Sequence, residues 1–154
     1  MKITNLTGKW SEPLGRAFLA FGSIEHAVLI ALRDIPRENI QRAAAKMTLT
    51  NRIELLIEII QSRPEAPYLV FATALKKAAS LARLRNILAH NPLVMEIYET
   101  SDGDFLTKEV IAAIHNEKHR MSFDDLNEFV REAEGLAEQL YECLARIRQL
   151  GFQQ

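Results

Sequence analysis

Leu126, Phe129, Ala133, Leu136, Leu140, Leu144 and Ile147 recur at steps of three and four, a spacing that lays them along one side of an α-helix. Ser122 followed by Asp125 resembles a capping box and places the start of that helix. Its length is on the order of 40 Å at 1.5 Å per residue. A similar seam runs from about Pro13 to Asp34 through Leu14, Phe18, Phe21, Val28 and Leu32, with Glu25 in the one position where an apolar residue is expected. A second helix is predicted from about Thr50, with Ile53, Leu56, Ile57 and Ile60 as its buried stripe, ending at the prolines of "SRPEAP". The third runs from about Tyr68 to Ala89, because Pro92 disfavours helical geometry at Asn91.

Between the third and last helices the period changes. "VMEIYE" alternates apolar and polar residues, "TSDGD" supplies turn chemistry, and "FLTKEVIAAI" can pair back on the first run. No repeat, low-complexity tract or linker interrupts the chain. The predicted fold is therefore mainly α: one domain, residues 1–154, built as a four-helix bundle with a β-hairpin at about 93–115 inserted before the long C-terminal helix.

Composition supports a folded, water-facing domain. With 48% hydrophobic and 25% charged residues and only 6 Gly and 5 Pro, 154 residues suffice for one core without staples. Cys143 is the only cysteine, which excludes an intrachain disulfide and a thiolate zinc cluster. "MKITNLTGKW" lacks the apolar centre of a signal peptide, and no uninterrupted apolar run approaches the roughly 20 residues of a membrane span. The expected location is the cytoplasm, away from any membrane.

Charge changes the picture locally. The formal net charge of -1 argues against a protein that coats nucleic acid with its whole surface. Yet no acid falls between Glu65 and Glu96, where Lys76, Lys77, Arg83 and Arg85 all lie, whereas residues 124 to 142 hold seven acids against Arg131 alone. The third helix is a basic island that ends in "LARLRNILAHNP". At about 100° per residue, Asn86 and His90 are about 40° apart and share a side with Lys76 and Arg83, a surface suited to a phosphate-bearing ligand. Arg85 instead falls in line with Ala74, Ala78, Ala82 and Ala89, a small-residue stripe that allows another helix to approach closely. An arginine there needs an acidic partner or an opening to solvent, and Glu25 is the candidate; the alternative is that Glu25 reaches solvent from the edge of its seam.

"RNILAH" resembles the Arg, four to six residues, His motif of the HEPN superfamily of helical domains, with Asn directly after Arg, Ala before His, and Pro following. The resemblance is close over one helix and extends to the rest of the chain as architecture. It implies metal-independent endoribonuclease activity, often of toxin-antitoxin or antiviral systems, with a composite site formed across a homodimer. It assigns Arg85 and His90 to the catalytic positions and Asn86 to a supporting one. Glu25 is the second supporting residue, and Lys76 and Arg83 are the expected RNA contacts. The expected partners are RNA, a second copy of the chain, and an antitoxin or other neighbour-encoded protein; no cofactor and no metal is implied. The alternative is a catalytically silent helical interaction or RNA-binding module that regulates a partner protein. One geometric problem accompanies the motif: Arg85 and His90 diverge by about 140° on an ideal helix, so either the last turn loosens or the pair comes from two subunits.

Other chemistry is thinner. His115 and His119 in "HNEKH" have the spacing of a metal pair if helical, without the HExxH pattern or a third ligand. His26 is expected at the surface or boundary, and Trp10 as an anchor for the N-terminal segment. No glycine-rich phosphate loop or serine nucleophile elbow is present.

Overall fold

In the computed structural model, which describes residues 6–113 and 116–151, the chain is mainly helical with one small antiparallel sheet. Helix α1 spans Leu6–Asp34, the short α2 Gln41–Ala44, α3 Leu49–Ile60 and α4 Ala66–His90. Strands β1 (Leu93–Glu99), β2 (Phe105–Ala113) and β3 (Asn116–Met121) follow, and α5 covers Phe123–Gly151.

Local chemistry sets most of these boundaries. The Thr48 hydroxyl accepts from the Asn51 N–H at 3.3 Å and starts α3. Ahead of α5, the Asp125 N–H donates to Ser122 Oγ at 3.1 Å while the Ser122 N–H donates to Asp125 Oδ2 at 2.8 Å, so the reciprocal cap expected from sequence is formed. These donations hold the Asp125 carboxyl below the usual carboxylate range, the Ser122 hydroxyl contributing most. Helix α1 starts earlier than the proline suggested, running through Pro13. Trp10 stabilises that first stretch: it is 1% exposed, its Nε1–H donates to Glu109 Oε2 at 2.7 Å, and its ring meets Phe123 edge to face at 5.2 Å.

Helices α1 and α5 run parallel, as a ladder of side-chain pairs shows: Trp10 with Phe123, Arg16 with Glu134 at 2.7 Å, His26 with Tyr141 at 2.8 Å, and Arg148 with Asp34 at 2.5 Å. Helix α4 packs on α5 in the opposite sense, with Tyr68 near Leu144 and Leu84 near Phe129. The α5 stripe read from sequence is buried at every position, and Ile53, Leu56 and Ile60 are buried in α3.

Two seams differ from expectation. In α1 the buried line is Ala17, Ala20, Phe21, Ile24, Ala27, Val28, Ala31 and Leu32, while Phe18 is 43% exposed and Leu14 half-buried. Small residues, which give close approach to α5, rotate the contact face away from the line drawn through the large ones. In α4, Ala74, Ala78 and Ala82 are buried within the chain and only Ala89 is exposed. The stripe therefore serves packing inside one molecule and is not available to a second copy. Helix α1 over Gly8–Asp34 is long and apolar enough to cross a membrane by length and composition, a test that core helices of water-soluble proteins also pass. Cys143 is buried, and burial pushes its thiol pKa up, away from reactivity.

The sheet corrects the hairpin. Strands β1 and β2 pair in the expected register, Leu93 opposite Ile111 through Glu99 opposite Phe105, and Gly103 takes the positive φ that the turn requires. A third strand, β3, adds to β2 in the order β1-β2-β3. Its sequence "NEKHRM" is polar and lacks alternation, so nothing within it signals a strand. Near the helices Val110, Ile111 and Met121 are buried, whereas Ile97, Tyr98, Phe105 and Leu106 at the far end are exposed: the hairpin overhangs the helical body.

Candidate functional site

Helix α4 remains α-helical through His90. Asn91 then turns extended, at φ -121 and ψ 145, and its Nδ2–H donates back to the Ile87 carbonyl at 2.9 Å, satisfying one of the acceptors that a helix end leaves open. Pro92 and β1 follow at once, so the end of α4 is tied directly to the sheet. This junction holds the last turn in one geometry and leaves His90 exposed at its rim.

At that rim lies a cavity of about 500 Å3 lined by Arg83, Asn86, Ile87, His90, Asn91 and His119. Arg83, Asn86 and His90 come from successive turns of the outer face of α4, as their helical angles require. His119 comes from β3, at a break in the ladder. Ala112 pairs with Arg120, so a regular register would set Ala113 opposite His119; Ala113 instead pairs with Asn116. Such irregularities redirect side chains away from the regular alternation. One residue on, Arg120 is paired with Glu96 of β1. The site is thus cationic and imidazole-rich, with a guanidinium and two amides able to hold a phosphate or carbonyl.

The other residues expected at the site are placed as follows. Lys76 is exposed on α4 but lies 14 positions before His90, about 21 Å along the axis, outside the cavity. Arg85 is also outside it. Its guanidinium carbon lies 5.7 Å from the centre of the Phe21 ring, and its Nε is buried without a hydrogen-bond partner. The expected ion pair with Glu25 is not formed: Glu25 is half-buried on α1 and makes no salt bridge with Arg85. Glu25 instead takes the alternative place at the edge of its seam: it sits off the true buried line of α1, beside the face that carries exposed Phe18 and Leu29. Since the last turn of α4 does not loosen, one chain does not bring Arg85 and His90 to a common point.

His119 was visible only as half of a metal pair. That pair required a helix, and His119 is on a strand, while His115 lies outside the described residues. Among the described residues, no group of three or more His, Cys, Asp or Glu is arranged to hold a metal ion. The acid-free α4 also carries Lys77, which with Arg131, Ser80 and Gln139 lines a groove against α5, two turns before the His90 cavity begins.

No family model, no curated protein sequence and no solved structure matches the chain, so the functional reading rests on the side chains themselves.

Proposed function

We propose that the protein is a HEPN-like endoribonuclease of four-helix-bundle architecture that cleaves RNA without a metal, acting in the cytoplasm as the toxin of a toxin-antitoxin or defence system. The observation that carries this reading is the cavity shared by His90, Asn86 and Arg83 at the end of a helix with no acidic residue. His90 is exposed, open to solvent and to a bound substrate, as an imidazole acting as general acid or base must be. In the reaction the RNA 2'-hydroxyl attacks the adjacent phosphorus and the 5'-oxygen leaves, giving a 2',3'-cyclic phosphate. Arg83 and Asn86 hold the phosphate, and Lys76 and Lys77 extend the cationic track along α4 for the flanking backbone.

Arg85 enters from a second copy. Among the described residues no carboxylate pairs with its guanidinium, and of its nitrogens only Nε is shut away, so the terminal ones remain to meet an anion. In a homodimer the Arg85 of one chain then faces the His90 cavity of the other, and the exposed α1 face with Phe18 and Leu29, next to Phe21, supplies apolar contact area. Glu25 on that face offsets the positive charge the two copies bring together. The test is incubation of the protein with mixed RNA in excess chelator: cleavage to cyclic phosphate ends is expected, and an intact RNA pool overturns the enzyme.

The second reading is a silent interaction module that regulates a partner. The overhanging hairpin favours it, because it carries exposed apolar side chains on both faces, Tyr98 beside Leu106 on one and Ile97 and Phe105 on the other, that no part of the described chain covers.

A further inference from the structure

Transesterification of RNA moves two protons, and one imidazole moves one of them. As the O2'–P bond forms, the 2'-hydroxyl proton must be taken; as the P–O5' bond breaks, the departing alkoxide must receive a proton, because an unprotonated primary alkoxide is a poor leaving group. Arginine cannot fill either role, since it does not deprotonate in proteins. The cavity holds a second imidazole: His119 of β3 lines it together with His90 of α4.

We propose that His119 is the second catalytic residue, paired with His90 so that one imidazole accepts the 2'-hydroxyl proton while the other, protonated at the start, donates to O5'. This rests on the endoribonuclease reading above. Three observations on the page support it. The two rings approach one cavity from different elements, a helix end and a strand, so they reach a bound phosphodiester from two directions. His119 stands where the β2–β3 ladder breaks register, and no hydrogen bond within the described protein occupies its ring. Among the described residues, the remaining side chains of the cavity are Arg83, Asn86, Ile87 and Asn91, which can bind a phosphate but are not acid–base groups of the kind the reaction needs. Electrons and protons balance without a co-reactant: the O2' lone pair forms the new bond to phosphorus, the P–O5' pair leaves with O5', and the proton lost by one histidine is replaced by the proton gained by the other through exchange with water.

The experiment compares wild type, His90→Ala and His119→Ala on two oligoribonucleotides, both in excess chelator. One has an ordinary phosphodiester at the mapped cleavage site; the other has a 5'-bridging phosphorothiolate there, whose thiolate leaves without a proton. On the ordinary substrate both variants are expected to lose about 10²–10⁴-fold in rate. On the phosphorothiolate, one variant and only one recovers a rate near wild type, which identifies its missing histidine as the acid. His119 is exposed, so circular dichroism and thermal melting of His119→Ala should match wild type, and His119→Gln serves as a second variant that keeps polar bulk. Wild-type rates for His119→Ala on the ordinary substrate overturn the proposal while leaving the ribonuclease reading intact. Recovery of both variants, or of neither, also overturns it. Wild-type protein that leaves RNA uncut removes the ribonuclease reading and this inference with it.

Discussion

The last two turns of α4 present two unlike sides. On the inner side Arg85 lies over Phe21, half-buried, with its Nε shut away from water and from any acceptor. On the outer side Asn86 and His90 are exposed and open onto the cavity that His119 completes. The residues of one short motif are thus split between a packing environment and a solvent environment. Adjacency in sequence says little about shared chemistry on a helix: Arg85 and Asn86 are neighbours in the chain yet point about 100° apart into different surroundings, while His119 is distant in sequence and lines the same cavity as His90.

The sharpest way to break the comparison is to charge the inner side. Ala78→Glu places a carboxylate in the buried line of α4 and should destabilise the fold by more than about 4 kcal/mol, as an unpaired buried charge does. Denaturant unfolding measures this. A folded but dissociated Ala78→Glu protein would instead show that the stripe faces another copy. On the outer side, His90→Ala should leave melting unchanged and reduce RNA cleavage by about 10²–10⁴-fold, read from the rate of cyclic phosphate formation.

A complementation test connects the two sides. If Arg85 of one chain works with His90 of another, Arg85→Ala and His90→Ala proteins are each inactive, but unfolding and refolding them together should restore about a quarter of wild-type activity, since half of the dimers are mixed and each has one intact site. No restoration would confine the site to one chain. The smallest effect belongs to the start of α5, which does not line the His90 cavity. Asp125→Asn should lose about 1 kcal/mol at pH 7 by weakening the α5 cap. Because the folded-state pKa of Asp125 is depressed, its stabilisation is complete above the unfolded value near about pH 4 and is lost as pH falls through the lower folded value. Urea titrations of both proteins from neutral to strongly acid pH should therefore converge.

Much of this arrangement was readable in the residues. The α5 stripe and its cap were legible because six large apolar residues and one alanine keep helical spacing behind a Ser and an Asp three apart. The end of α4 was legible from Pro92. The α1 seam was legible only in part: Phe21, Val28 and Leu32 are buried as expected, but alanines at 17, 20, 27 and 31 give the close contact while Phe18 stays outside. The alanines of α4 carried no mark of whether their neighbour belongs to the same chain. Strand β3 was invisible because a polar edge strand is defined by its partner, not by its own pattern. That strand brings His119 to the site, so the least legible element completed the part of the site that the motif left open.

The turn from Thr100 to Asp104 has a further consequence. It is closed on itself by the Thr100 N–H to Asp104 carbonyl bond at 2.7 Å and stands beyond the half-buried residues of β1 and the buried ones of β2. Lengthening it disturbs no helix contact, and loop closure grows only slowly with added residues. The hairpin tip is therefore a graft point, where a fluorophore or an affinity epitope can report on the molecule while the helices and the cavity keep their geometry.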